Sequence, residues 1–230
     1  GTLVRLVHEG LTSQQAEGHG VGWDHYLGRL AAAAAAPAAD AGPDEWSASP
    51  DPLDRLSAAE ATAAVCQRVL RAVPADAASS PTPCAAYDVD ALAEHLLGSI
   101  RSLGAMAGAS TGGADAGSLE ERVADATQLA LEAWRRRGTD GEVAFGSGSL
   151  PAQRAAAILS IEYLVHAWDF ATATAQPLEV DASVSAYVLA LAHDIVQPAM
   201  RDGDRFAEAV EVAADADTLA RLVAYTGRTP

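Results

Sequence analysis

From residue 53 onward, apolar residues recur at intervals of three and four, the period of helices that bury one face. Leu56, Ala63, Val65, Val69 and Leu70 predict a first helix over residues 53–73. The turn Pro81-Thr82-Pro83-Cys84 interrupts the pattern. Asp88 or Asp90 can then cap a second helix by accepting backbone N–H bonds, with Leu92, Leu96 and Ile100 on its apolar face. A Gly/Ser/Ala stretch near 107–117 reads as a loop, and residues 119–137 as a third helix. The patch Val143–Phe145 reads as extended. Pro151 suits the first turn of a long fourth helix reaching about Ala175, because a proline there removes an N–H that would lack a partner anyway. Residues 181–200 predict a fifth helix, 210–213 a short strand and 218–225 a last short helix. Four main helices with long connections predict an all-α bundle.

The first 36 residues have a different texture. Thr2 to His8 alternate polar and apolar with β-branched residues, a strand pattern that Gly10 ends. Thr12 or Ser13 can cap a helix carrying Trp23, Tyr26, Leu27 and Leu30 on one stripe. Pro37, Pro43, Pro50 and Pro52, with Gly42 and several Ala and Ser, make 37–52 a linker by composition. A lone strand and helix cannot bury both their faces, so residues 1–36 read as the end of a domain whose body lies elsewhere. The start at Gly1-Thr2, without methionine or a signal peptide, fits a piece cut from a longer protein.

Charge narrows the function. The formal net charge is −16, which argues against nucleic-acid partners, since these require basic patches, and against anionic membrane surfaces. No apolar run approaches the roughly 20 residues that span a bilayer. Cys66 and Cys84 are the only cysteines, too few for a disulfide framework, and a reduced cytoplasmic protein is expected.

The most informative segment is Ile161-Glu-Tyr-Leu-Val-His-Ala-Trp-Asp-Phe170. Glu162 and His166 stand four apart, one helical turn, so a carboxylate oxygen and an imidazole nitrogen can reach one cation. Zinc takes such N/O ligands and keeps a position open in catalytic sites. His95, set among leucines on the second helix, is the candidate third ligand from a different element. The same residues suit plainer roles: an exposed Glu–His ion pair, and a hydrogen-bonded core histidine. Asp169 can orient a ligand histidine or simply face solvent. His193 and Asp194 are adjacent and point to different faces, which suits structural roles. His8, His19 and His25 belong to the N-terminal piece and carry no metal role.

Three pieces taken together resemble a known group. They are Pro81-Thr-Pro-Cys84 with Tyr87-Asp-Val-Asp90 and Leu92-x-x-His95, then Glu162-x-x-x-His166-Ala-Trp-Asp169, then Thr226-Gly-Arg228. This pattern resembles the DinB-like superfamily, and within it the metal-binding N-terminal domain of mycothiol-dependent maleylpyruvate isomerases, over residues ~50–230. The resemblance implies a four-helix bundle holding a divalent metal, usually zinc, on His95, Glu162 and His166. It also implies a small thiol, mycothiol, or a thiol-conjugated substrate at the open metal position. DinB-like bundles often dimerise, so a homodimer is among the expected assemblies. The chain departs from the isomerase in ending at Pro230, where that family continues into a further domain. Separately, Thr2-x-Val-x-Leu-x-His-x-Gly10, Glu17-Gly-His-x-x-Gly-Trp23 and Tyr26-Leu27 resemble the last strand and closing helix of a START-like (SRPBCC) domain of the heat-shock-protein-90 ATPase activator homologue type. The expected organisation is therefore a START-like remnant over 1–36, a linker over 37–52 and a DinB-like bundle over 53–230. Two functions compete: a metal- and thiol-dependent transferase or isomerase-like protein, and a non-catalytic metal-stabilised module fused to a START-like small-molecule-binding domain.

Overall fold

In the computed structural model, residues 23, 27, 28, 30–31, 53–110, 117–201 and 206–230 are described. The chain divides into two units, Gly1–Ala48 and Ser49–Pro230. In the first, the described residues Trp23, Leu27, Gly28, Leu30 and Ala31 are helical. The strand expected at 2–8, the cap at Thr12 or Ser13, and the linker at 37–52 lie outside the described residues.

The second unit is mostly helical, as the periodicity predicts. Its elements are α1 (Arg55–Arg71), α2 (Val89–Met106), α3 (Leu119–Arg137), β1 (Glu142–Phe145), β2 (Gly148–Pro151), α4 (Ala152–Ala173), α5 (Ala182–Ile195) and α6 (Thr218–Tyr225). Five of these six helices start at a side-chain cap. Asp54 caps α1 by accepting from the N–H groups of Leu56 and Ser57. Asp88, not Asp90, caps α2 through the Ala91 N–H. Ser118 and Glu121 close a reciprocal capping box on α3. Asp181 and Asp217 cap α5 and α6.

The first four helices contact one another in a ring. α1 packs on α3 and α4, and α2 packs on the same two. α5 leans on α4 and α6. α4 is central and buried nearly all round, with Ala155, Ala156, Leu159, Tyr163, Leu164 and Phe170 among its buried residues. A helix without a solvated face belongs to an interior. Small residues let the helices approach closely. At Gly104 of α2 an added Cβ would lie 2.9 Å from the Cβ and 3.0 Å from the Cα of Ala130 on α3. The same contact brings Trp134 in to donate from its indole to the Leu103 carbonyl at 3.1 Å. Gly104→Val is therefore expected to push α2 and α3 apart at a cost of about 1–3 kcal/mol, read as a lower urea midpoint with an unchanged slope.

Three expectations change. The extended patch at Val143–Phe145 has a partner the pattern did not show: β1 pairs antiparallel with β2 around Gly146, whose φ of +57° suits glycine. Residues 181–200 are not one helix. α5 stops at Ile195, and a separate 3₁₀ turn follows at Pro198–Met200, because the residue before a proline is driven out of the helical region and Gln197 sits at ψ 157°. Val210–Ala213 is not a strand. Its backbone bonds run from the Val210 N–H to the Ala224 carbonyl and from the Ala216 N–H to the Ala213 carbonyl, and it joins no ladder among the described residues. Of the loop near 107–117, residues 111–116 are outside the described set. Among the described residues no helix is long and apolar enough to cross a membrane.

Candidate metal centre

The core helix α4 carries Glu162, His166 and Asp169 on one side, at the spacing of successive turns. Charged residues on a helix buried all round need partners, because an unpaired buried charge is costly. α2 supplies one partner, His95, about two turns after its Asp88 cap. The turn leading into α2 is fastened by Thr82, whose hydroxyl donates to the carbonyls of Tyr87 at 2.7 Å and Cys84 at 3.1 Å. That sets the Tyr87 ring flat against His95, with centroids 4.9 Å apart and planes 25° apart.

His95, Glu162 and His166 converge, each offering one ligand atom within 4.8 Å of the others. Glu162 Oε2 is 3.7 Å from His95 Nε2 and 3.7 Å from His166 Nε2. Those separations are too long for hydrogen bonds. Bonds of about 2.0–2.2 Å to a shared tetrahedral ion would put neighbouring ligand atoms roughly 3.4 Å apart. Glu162 Oε2 is buried with no hydrogen-bond partner, although buried polar atoms ordinarily have one. The two imidazoles meet edge to face, 5.2 Å between centroids and 88° between planes, so they do not stack across the shared point. The donor set and the orphaned oxygen fit a divalent cation. The His95 side chain keeps 35% of its surface exposed, against 16% for Glu162 and 7% for His166. The centre therefore opens to solvent past His95.

Behind the triad stands a second set of residues. His166 Nδ1 lies 3.0 Å from Asp169 Oδ2. Asp169 is fully buried and receives a two-pronged Arg228 guanidinium, Nη2 to Oδ2 at 2.8 Å and Nε to Oδ1 at 3.2 Å. Arg228 also donates from Nη1 to the Thr226 carbonyl at 3.0 Å. The end of α6 delivers it. Gly227 takes φ +91°, and the N–H groups of Gly227 and Arg228 return to the carbonyls of Ala224 and Val223, closing the helix with a left-handed glycine cap. Any Cβ at Gly227 would come within 2.7 Å of the Ala207 side chain. A carboxylate on Nδ1 fixes the proton there and turns Nε2 toward the metal, the usual support of a ligand histidine.

Electrostatics follow this layout. Burial disfavours the His166 imidazolium, but Asp169 and Glu162 outweigh it and lift its pKa to about 9. Burial lowers the pKa of His95, with the Glu162 charge opposing. Burial alone would raise Glu162, yet His166, Ser99 and His95 bring it below its ordinary range. Burial likewise opposes ionisation of Asp169, and His166 and Arg228 prevail and lower it. The thiols have the reverse bias: burial pushes Cys66 up to about 12 and raises half-buried Cys84, so neither is primed as a nucleophile. A metal-free His166 holds a proton at pH 7, which a cation at Nε2 must displace. Titration of zinc by calorimetry at pH 7 in two buffers of different ionisation enthalpy should show net proton release, and His166→Ala should remove that release.

Comparison with known proteins adds relatives without a role. No protein-family model matches the chain, and no solved structure matches it. It is 28% identical over 180 residues to two uncharacterized proteins of Mycobacterium tuberculosis, Rv0738 of strain H37Rv and MT0763 of strain CDC 1551, a match covering 77% of this chain and 99% of each relative.

The structure thus brings together the three residues that the spacing and the resemblance singled out. It settles Asp169 as a buried partner of His166 rather than a solvated residue. His193 lies apart, with its ring 4.1 Å from that of Tyr225. Two neighbours had no role assigned from sequence: Tyr87 against His95, and Arg228 on Asp169. Their signals were present, an aromatic just before the helix and an arginine just after a helix-ending glycine, but nothing in the sequence pairs positions 59 residues apart.

Proposed function

We propose that residues 53–230 form a DinB-like divalent-metal protein that works as a metal- and thiol-dependent transferase or isomerase-like protein, with zinc as the metal and mycothiol as the thiol. The observation that carries this reading is Glu162 Oε2, buried, without a hydrogen-bond partner and 3.7 Å from the Nε2 atoms of both His95 and His166. Three N/O ligands on two helices match catalytic zinc sites, which keep a further position for solvent or substrate. The exposed flank at His95 gives a small molecule a way in. Mixed histidine–carboxylate sites also accept other divalent metals, so zinc is the specific part of the proposal.

Each residue has a task in this reading. His95 and His166 present Nε2 lone pairs, and Glu162 supplies a negative charge. Asp169 keeps the His166 proton on Nδ1, and Arg228 keeps Asp169 ionised and in place. Tyr87 holds the His95 ring at its angle. A bound zinc would supply a Lewis acid that favours the thiolate form of the thiol at neutral pH. The N-terminal likeness to a START-like domain extends the proposal: the parent protein would be a fusion, with this unit as its second part.

Cobalt substitution tests the thiol part. Adding mycothiol to the cobalt-loaded protein should produce a sulfur-to-metal charge-transfer band and a change in the visible spectrum. A spectrum indifferent to mycothiol, with cobalt bound at one per chain, would rule the thiol out and leave a metal-binding module.

A further inference from the structure

A second site lies away from the triad, where the start of α4 meets the start of α1 and the end of α5. A cleft of about 200 Å³ opens there, lined by Arg55, Arg154, Gln153, Asp194 and the apolar side chains of Ala157, Leu191 and Ile195. It is smaller than the roughly 300–1,000 Å³ of drug-sized sites and far larger than the ~30 Å³ share of one water.

Three features of its wall favour an anion. The first is Arg55. Its guanidinium makes no hydrogen bond or ion pair among the described residues, and its Nε is buried without a partner. A buried guanidinium N–H left unmade is costly, more so than a neutral donor. The second is Arg154. Its Nη2 donates to the Ile195 carbonyl at 2.9 Å, a contact that holds the group in place without neutralising it. The third is the start of α4. Its cap residue is Pro151, which offers no side-chain acceptor. The Ala152 N–H is taken by the Gly141 carbonyl at 2.9 Å. The next two N–H groups, of Gln153 and Arg154, belong to the first turn, where no intrahelical acceptor exists. They carry the positive end of a 22-residue helix.

We infer that this cleft binds a small organic carboxylate, its charged end between Arg55, Arg154 and the first turn of α4, and its body against Ala157, Leu191 and Ile195. The charge balance favours a monoanion. Two guanidinium groups and the Asp194 carboxylate leave one net positive charge in the wall. A dianion would overshoot that in a chain already at −16. The apolar wall rewards a carbon skeleton over an inorganic anion. The site is independent of the metal centre: Arg154 and His166 are separated by twelve residues of one helix, about 18 Å at 1.5 Å per residue.

The test is a titration followed by NMR on the whole chain at fixed ionic strength, with benzoate, benzyl alcohol and inorganic phosphate as probes. Benzoate should saturably shift the Arg55 side-chain N–H, the Gln153 and Arg154 amides and the Leu191 and Ile195 methyls. Benzyl alcohol, the same body without the charge, should not. Arg55→Gln should weaken benzoate binding about tenfold or more, the value of a hydrogen bond to a charged group, while leaving zinc content unchanged. No saturable benzoate shift, equal binding of benzyl alcohol, or unchanged affinity in Arg55→Gln would each overturn the proposal. So would phosphate binding more tightly than benzoate, which would mark a plain anion site without an organic body. The comparison of benzoate with benzyl alcohol needs no variant, so the proposal stays testable even if Arg55→Gln fails to fold.

Discussion

Replacing Asp169 by alanine is expected to destabilise the metal-free protein by about 3–5 kcal/mol, the cost of stranding one partner of a buried ion pair. Arg228 is 8% exposed and would keep the Thr226 carbonyl as its remaining acceptor. Chemical denaturation at pH 7 reads the loss directly. The double variant Asp169→Ala, Arg228→Ala should recover part of it, because no uncompensated guanidinium then stays inside. The pair also sets an acid limit. The folded-state pKa of Asp169 lies below the ordinary 3.8. Its contribution is therefore fully present above that value and is lost as pH falls through the lower, folded-state value. Wild-type stability should fall steeply below about pH 4, and Asp169→Ala should flatten that limb. The same substitution removes the acceptor of the His166 Nδ1 proton, so metal affinity should drop about 10–100-fold. Stability and affinity falling together would mark one connected unit. Unchanged affinity would show that Asp169 does not orient His166.

Removing a ligand should act more strongly on the metal. Glu162→Ala, His166→Ala and His95→Ala are each expected to lose more than the roughly 100-fold that an outer partner costs. After dialysis their zinc content should fall from about one per chain to near zero, by elemental analysis. His193→Ala is the control, since its ring packs on Tyr225 rather than on the triad, and its content should match wild type. Retained stoichiometry in His95→Ala would mean that α2 does not contribute a ligand. Glu162→Gln separates the metal-free from the metal-bound stability. That variant removes a charge that helps hold the His166 imidazolium, so the metal-free form should lose part of its stability at pH 7, while the metal-bound form loses in addition the stability that binding confers.

Much of the architecture was legible from the apolar period. The helices read at 119–137 and 218–225 have those limits in the structure, where Ser118 and Asp217 cap their starts. Local chemistry also explains the break in front of Pro198. What the period could not show was the pairing of β1 with β2, since Gly148–Pro151 has no alternation of its own and gains its strand form from its neighbour.

The metal centre divides the same way. Spacing alone determined that Glu162 and His166 share a face, because a helix repeats every 3.6 residues whatever surrounds it. Tertiary packing decided the rest. It turned that face inward on a helix buried all round and brought His95 to it from α2. It left Glu162 Oε2 without a hydrogen bond and closed the far side with Arg228 from beyond α6. Burial is what changes the meaning of these residues. In water a glutamate and a histidine one turn apart are a weak ion pair worth a few tenths of a kcal/mol, whereas the same two groups inside a bundle must find a cation, a proton or a partner.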